Sequence, residues 1–425
     1  NPNSPCQIAD SNDFALRPKN FSLASSDGIV SSNTLLVKAE DVTIDYVAYD
    51  NNNAPTTDYD VSFSNLNTDI TLINTGLTCS TSFLEDINQS SYQFSDGIDS
   101  HPVILTDVGL YNFVLEEIEG QEYALVDASD TNWTNRQITP NAMTLTIKPN
   151  HFTISTLQNP NFNTDGNFTY LAKVADIDTM AAKIDFNITA KNHTGGTTQN
   201  YTDLCYASDL NLDVNYTVAT GTSANTIHYK VGDVAASNNA VSDTLGGSFI
   251  KSGETVPKSV FTGATNGAGN IHVKMNFDRA VNVAKNPFII NLNNLNASDQ
   301  STSLTVNTTN QTINSDATFV YGRVAGPKRA SPTNCVDTPL NCTSADESPR
   351  IVFQIYKDSL GPVVPALNGA THDGTHDSRW WTSPFHDINN ILTDGNITTP
   401  GNPTITETSG GNVIQSALVE ESNFR

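Results

Sequence analysis

Cations are the scarcest resource in this chain. Its 425 residues carry 21 Lys plus Arg against 45 Asp plus Glu, a formal net charge of −24 and a pI near 4.4. Sequence-independent nucleic-acid binding needs Lys and Arg to neutralise phosphates, and docking on anionic lipid needs the same, so both are excluded as primary roles. Charge of either sign is sparse, at 16% of residues, which is not the charge-rich signature of disorder. No apolar run approaches the roughly 18 residues of a membrane span. Catalytic signatures are missing as well: there is no Gly-x-Ser-x-Gly elbow, P-loop or dinucleotide fingerprint, so no catalytic residue is nominated and a non-enzymatic role is expected. Glu116 and Glu117, or Glu420 and Glu421, are adjacent carboxylates, but neighbours in a strand point to opposite faces.

Cysteine is also sparse. Five Cys (Cys6, Cys79, Cys205, Cys335, Cys342) are too few for a disulfide scaffold and lack the Cys-x-x-Cys spacing of zinc or redox work. Cys335 and Cys342 flank the turn-rich Val-Asp-Thr-Pro-Leu-Asn, and a bridge between them would close a short loop, stabilising by roughly 2 to 3 kcal/mol in the chain-entropy model. An odd count leaves one Cys unpaired or bonded to another chain, and Cys6 near the N-terminus is the candidate. The opening Asn1-Pro2-Asn3, without Met or signal peptide, reads as a mature or excised piece of a longer precursor.

What is abundant is small and polar: 50 Asn, 51 Thr and 37 Ser, beside 37% hydrophobic residues that suffice for two to four cores. Period-two patterning dominates. Ile271, Val273, Met275 and Phe277 alternate with His272, Lys274, Asn276 and Asp278, and Val42 to Tyr49, Met143 to Ile147, Thr318 to Val324 and Ile351 to Tyr356 read alike. Turn clusters such as Asp50-Asn51-Asn52-Asn53-Ala54-Pro55 and Gly195-Gly196 separate them. Only Leu171, Val174, Ile177, Ala181 and Ile184 form a three-to-four stripe, which predicts one short helix over about 170–184.

An internal repeat organises these strands. Leu16-Arg17-Pro18-Lys19-Asn20-Phe21-Ser22-Leu23 matches Ile147-Lys148-Pro149-Asn150-His151-Phe152-Thr153-Ile154, and downstream Ala48, Asp50, Thr56 and Tyr59 correspond to Ala190, Asn192, Thr198 and Tyr201. Each copy places Pro at a strand entry, a core-facing Phe, then a strand, a polar turn and a Tyr, as tandem domains of one fold would. The expected architecture is therefore all-β, with immunoglobulin-like β-sandwiches at 1–140 and 141–249, the second holding the short helix, and further β structure at 250–425.

At these residues the sequence resembles the bacterial MshQ-like surface proteins. Thr189 to Tyr201 is similar to a strand type of their immunoglobulin-like repeats, and Ala317 to Val324, Phe353-Gln354-Ile355-Tyr356, Trp380-Trp381 and His386 resemble their Tyr-Gly-Arg segment and the Tyr and Trp strands after it. The resemblance implies an exported bacterial β protein of the cell surface or an appendage, with no enzymatic activity.

Thirteen Asn-x-Ser/Thr sites occur, close to the number the composition alone produces, so their count says nothing about glycosylation. Their flanks say more. Asp stands two residues before Asn88, Asn132, Asn167, Asn187, Asn215 and Asn396, where the acidic content predicts one or two such placements. This Asp-x-Asn-x-Ser/Thr form resembles the acceptor of the Campylobacter-type bacterial oligosaccharyltransferase, which nominates those six Asn as carriers of covalent N-glycans. A second cluster, His372, His376 and His386, each followed by Asp, is the candidate site for a divalent metal, although Gly374 argues against a helix presenting two of them. Two acidic sets, Asp373 with Asp377 and Asp387, and Asp96 with Asp99 and Asp107, offer oxygen ligands for calcium without an EF-hand spacing. Trp380-Trp381 is a sugar-stacking or interface candidate, one of whose rings belongs in a core.

The segments Asn412 to Glu420 and Asn1 to Phe14 read as strands that either lie at the edge of the chain's own sheets or extend a sheet of a neighbouring copy. These features combine into an extracellular, glycosylated bacterial structural protein whose partners are copies of itself, joined by strand addition or surface packing into a filament, pilus-like fibre or lattice. The competing expectation is a surface adhesin that binds host or matrix glycans with Trp380 or Trp381 beside a metal.

Overall fold

The structure, a computed structural model, describes residues 17–63, 66–72, 79, 92–119, 128–129, 131–155, 167–220, 226–231, 237–240, 248–262, 267–279, 283–299, 304–306, 311–325, 352–372 and 378–382. The first ten strands are β1 (Asn20–Ala24), β2 (Ile29–Ser31), β3 (Thr34–Lys38), β4 (Asp41–Tyr49), β5 (Val61–Phe63), β6 (Leu66–Leu72), β7 (Tyr92–Phe94), β8 (Ile98–Ile104), β9 (Gly109–Glu117) and β10 (Asn141–Lys148). One layer runs β1-β4-β8 and the other β2-β3-β10-β9-β6, with β5 and β7 paired as a separate ribbon. Alternation drives the stacking. On β4, Val42, Ile44, Tyr46 and Ala48 point inward, and they meet Leu35, Val37, Tyr111, Phe113, Leu145 and Ile147 of the facing layer in one buried core.

The chain then repeats the design with β11 (His151–Ser155), β12 (Thr169–Tyr170), β13 (Ala182–Lys191), β14 (Leu210–Thr220), β15 (Thr226–Val231), β16 (Ser237–Ala240), β17 (Ser248–Val256), β18 (Ala268–Phe277), β19 (Phe288–Asp299) and β20 (Gln311–Val320). Its layers are β11-β13-β18-β15-β16 and β12-β20-β19-β14-β17. In both sandwiches the entering strand joins one layer, and the chain crosses to lay a strand parallel to the last one, β3 beside β10 and β12 beside β20. This is immunoglobulin-like wiring, and it is the same in both. β10 lies beyond residue 140, yet its partners are β3 and β9, and β18 to β20 lie beyond 249, yet they complete the second sandwich. A four-stranded sheet follows: β21 (Gly322–Ala325), β22 (Val352–Tyr356), β23 (Thr371–His372) and β24 (Trp380–Thr382), in the order β21-β22-β24-β23.

The sequence repeat is a repeated knot of contacts. Phe21 pairs with Ala48 across β1 and β4, and Phe152 pairs with Ala190 across β11 and β13. After each second strand the chain turns so that Thr56 N–H donates to Ala48 O (2.9 Å) and Thr198 N–H to Ala190 O (3.1 Å). Tyr59 then sits edge-on to Phe21 and Phe94, as Tyr201 does to Phe152 and Phe261. Each knot closes on a glycine that the repeat did not reveal. Gly97 O accepts from Ala48 N–H and Gly267 O from Ala190 N–H, both glycines at positive φ (75° and 80°).

Two expectations need correction. The predicted helix over 170–184 is absent: residues Val174–Asp176 make one 3-10 turn, and Ile184 belongs to β13, where Ala182, Ile184, Phe186, Ile188 and Ala190 are all buried. Five inward residues at period two outweigh a three-to-four stripe, whose Leu171 and Ile177 merely plug the crossover. A four-residue helix, α1 (Trp133–Arg136), is the one α-helix among the described residues. The strand expected over 318–324 breaks at Tyr321, where the chain leaves β20 for the third sheet. The knots are testable through their glycines. An added Cβ would lie 2.7 Å from Thr56 N and O at Gly97, and 2.1 Å from Thr198 O at Gly267. Gly97→Ala or Gly267→Ala should therefore destabilise by about 1 to 3 kcal/mol in urea titrations, whereas Gly195→Ala, in open space, should cost only the left-handed backbone penalty of about 1 kcal/mol.

Candidate functional site

Only Pro149 and Asn150 separate β10 from β11, so the base of the first sandwich is forced onto the top of the second. The contact is specific. His193 N–H donates to Ala39 O (2.9 Å), Asn150 Nδ2 to Glu40 Oε2 (2.7 Å) and Asn192 Nδ2 to Thr106 O (3.0 Å). Lys148 Nζ reaches Asp299 Oδ2 at 3.3 Å, and Ser208 Oγ donates to the same oxygen at 2.8 Å. A disulfide, Cys79–Cys205, ties a residue within the span of the first sandwich to a turn of the second.

At the centre of this joint lie two neighbouring residues with opposite chemistry. Val108, on the first sandwich, is buried within the hydrophobic core of the second. Asp107 is buried too, and its carboxylate accepts N–H bonds from Val108 (2.7 Å), Gln199 (3.1 Å) and Asn200 (3.1 Å). Burial pushes its pKa up to about 6, against the opposing pull of those N–H groups. Asp107 caps the backbone of the second sandwich's turn while Val108 fills its core, which makes the joint both polar-specific and apolar.

The nominated sites distribute differently. Asn132 is exposed and caps α1, its Oδ1 accepting from Asn135 N–H (3.2 Å) and Thr134 Oγ1 (3.1 Å), so these bonds leave the glycan-accepting nitrogen uninvolved. Asn167 is exposed at φ 55°. Asn187 and Asn215 are half-buried in mid-strand on β13 and β14, and Asn215 Nδ2 donates to Asn294 Oδ1. Asn88 and Asn396 lie outside the described residues, as do Cys6, Cys335, Cys342, His376, His386, the acidic set Asp373, Asp377 and Asp387, and the terminal segments Asn1 to Phe14 and Asn412 to Glu420. His372 stands in β23, its backbone paired with Trp381. Among the described residues no three His, Cys, Asp or Glu side chains converge as a metal site would require. The acidic trio accordingly splits up: Asp96 bonds through its N–H to exposed Asp60, Asp99 takes Gln93 and Ser100 N–H and His101, and Asp107 serves the joint. Glu116 and Glu117 diverge, the latter buried on Arg17 and the N–H of Ile138.

The tryptophans separate as strand geometry requires. Trp380 is buried against Tyr321 and Tyr356 with the Arg323 guanidinium 3.8 Å above its ring, whereas Trp381 is half-buried and its Nε1 donates to Lys357 O (3.2 Å). Sequence reasoning missed the joint altogether. Cys79 and Cys205 are far apart in sequence, and Asp107 stood out only as a candidate calcium ligand, with nothing to mark it as a joint residue; the one usable signal was the short Pro149-Asn150 link.

Residues 147–320, the span of the second sandwich, match the family model described as DUF6701, third domain. No curated protein matches. Similar solved structures include AvmM, which catalyzes macrocyclization in alchivemycin A biosynthesis, at 12% identity over 43% of this chain and 93% of that one with a TM-score of 0.23. Another is the collagen adhesin CNA from S. aureus, at 10% identity over 71% of this chain and 93% of that one with a TM-score of 0.14. At these scores neither likeness bears on activity.

The joint carries a pH signature whose sign follows from Asp107. Because its folded pKa lies above its unfolded value, the folded state holds the proton more firmly, and this group's contribution to stability is complete below about pH 4 and lost as pH rises through about 6. Measured against the wild type by denaturant unfolding, Asp107→Asn should gain up to about 3 kcal/mol in relative stability between pH 4 and pH 7. A difference that stays flat with pH would show that Asp107 does not titrate in the joint.

Proposed function

We propose that this chain is a non-enzymatic extracellular structural protein of the bacterial surface, N-glycosylated, whose copies assemble into a filament, pilus-like fibre or lattice. The observation that carries the proposal is the joint: two sandwiches of one wiring, stacked end to end and stapled by Cys79–Cys205, which supports a role in transmitting load. A structural disulfide of this kind persists in oxidising compartments, which supports an exported address. The resemblance to MshQ-like surface proteins and the acidic sequons support the same reading. The adhesin alternative retains only Trp381 at the surface, since Trp380 is buried.

Glycan attachment on a folded protein needs an accessible amide, so the geometry ranks the sequons. Glycopeptide mapping of native material should find Asn132 and Asn167 occupied and Asn187 and Asn215 bare, and Asn132→Gln should remove one glycan increment from the intact mass. Bare peptide at all four would refute glycosylation of the described sites. Electron microscopy of the same material should show filaments or ordered arrays, and a monodisperse monomer would refute assembly.

A further inference from the structure

Asn-Gly is the dipeptide in which asparagine most readily loses its side-chain amide, because glycine has no Cβ to keep its nitrogen from closing a five-membered ring on the preceding carboxamide. The chain contains it twice, at Asn266-Gly267 and at Asn368-Gly369. The fold treats the two glycines differently. Gly267 closes the knot of the second sandwich: its O accepts from Ala190 N–H (2.9 Å), and an added Cβ would lie 2.1 Å from Thr198 O. Its backbone is therefore held between β13 and the seated turn, while Asn266 lies outside the described residues.

Asn368 and Gly369 are both exposed, between the 3-10 turn Pro365–Leu367 and β23. Asn368 (φ −62°, ψ 120°) and Gly369 (φ 72°) are the two central residues of a type II turn, closed by Ala370 N–H donating to Leu367 O (3.0 Å). That bond spans the Asn-Gly peptide without using it. Neither the carbonyl of Asn368, nor its carboxamide, nor the N–H of Gly369 has a hydrogen-bond partner among the described residues. The central peptide is free to rotate in solvent without breaking a bond, which lets the Gly369 nitrogen approach the carboxamide carbon.

We infer that Asn368 is a site of spontaneous covalent modification, deamidating through a cyclic imide to aspartate and isoaspartate. The Gly369 nitrogen bonds to Asn368 Cγ, the Cγ–Nδ2 bond breaks, and the amide nitrogen leaves as ammonia with the proton from Gly369. Water then opens the ring. Attack at the side-chain carbon restores the backbone with aspartate, and attack at the main-chain carbon leaves the chain running through the side chain as isoaspartate; nothing is oxidised or reduced. Isoaspartate adds a methylene to the backbone inside the span that Leu367 O and Ala370 N–H close, so the type II turn does not survive it. The turn leads into β23, the edge strand of the third sheet, whose backbone pairs Thr371 with Thr382 and His372 with Trp381, and the modified chain loosens that edge.

Peptide mapping by mass spectrometry of the full chain, incubated folded at mildly alkaline pH and digested in acid, follows both dipeptides in one sample. The peptide carrying Asn368 should gain the mass of an amide-to-acid exchange and separate into aspartyl and isoaspartyl forms. It should do so on the order of tenfold faster than the peptide carrying Asn266, the ratio that about 1.4 kcal/mol of backbone restraint produces. In guanidinium the two rates should converge, because both glycines are then unrestrained. Asn368→Gln keeps an amide but would have to close a larger ring, so its peptide should hold its mass through the same incubation. An Asn368 peptide that stays unchanged in the folded chain, or one that converts no faster than Asn266, would overturn the assignment.

Discussion

Everything distinctive about this protein depends on how Asp107 and Val108 enter the second sandwich. A buried carboxylate accepting backbone N–H groups is directional, and a valine in a neighbour's core is not, so together they fix both orientation and adhesion between two units. Lys148 on Asp299 and the Cys79–Cys205 bridge then fasten the edges of the same contact. The two-residue link brings the sandwiches together, and the joint fixes how they are oriented. With the joint made, the pair presents one continuous structure, and the properties proposed for it, load transfer and end-to-end stacking, follow from that continuity.

The internal repeat explains how the joint arises economically. The knot of Phe, Ala, Thr, Tyr and Gly is needed inside each sandwich to turn the chain after its second strand, and its outer surface is a tight turn of exposed backbone. In the second sandwich that surface receives the base of the first through the backbone N–H groups of Gln199 and Asn200 and the side chain of Asn192.

Much of the fold was legible because strands advertise themselves by alternation. β4, β10, β18 and β22 stand where period-two residues placed them, and the Phe21 and Phe152 repeat announced two units of one wiring. The false helix shows the limit of that reasoning: Leu171 and Ile177 sit in a crossover whose burial comes from tertiary packing and has no period of its own. The glycines of the knot escaped because the chain between Ala48 and Gly97 is shorter than that between Ala190 and Gly267, so no fixed offset relates them. The joint escaped for a different reason. Asp107 is one Asp among many in an acidic chain, and only the seated turn of a neighbouring unit gives it meaning. Among the sequons, residue order could nominate Asn132 and Asn215 equally, whereas exposure separates a helix cap from the middle of a sheet.

The repeat also supplies an internal control for the central claim, that the two sandwiches form one seated body. Hydrogen–deuterium exchange compares the turn over 192–201 with its counterpart over 50–59 within a single sample. The account predicts that amides of the seated turn, Gln199 and Asn200 above all, exchange as slowly as the flanking core strands while the outward turn exchanges rapidly. Equal, rapid exchange in both turns would contradict the joint, and with it the reading of this chain as a stacked structural element.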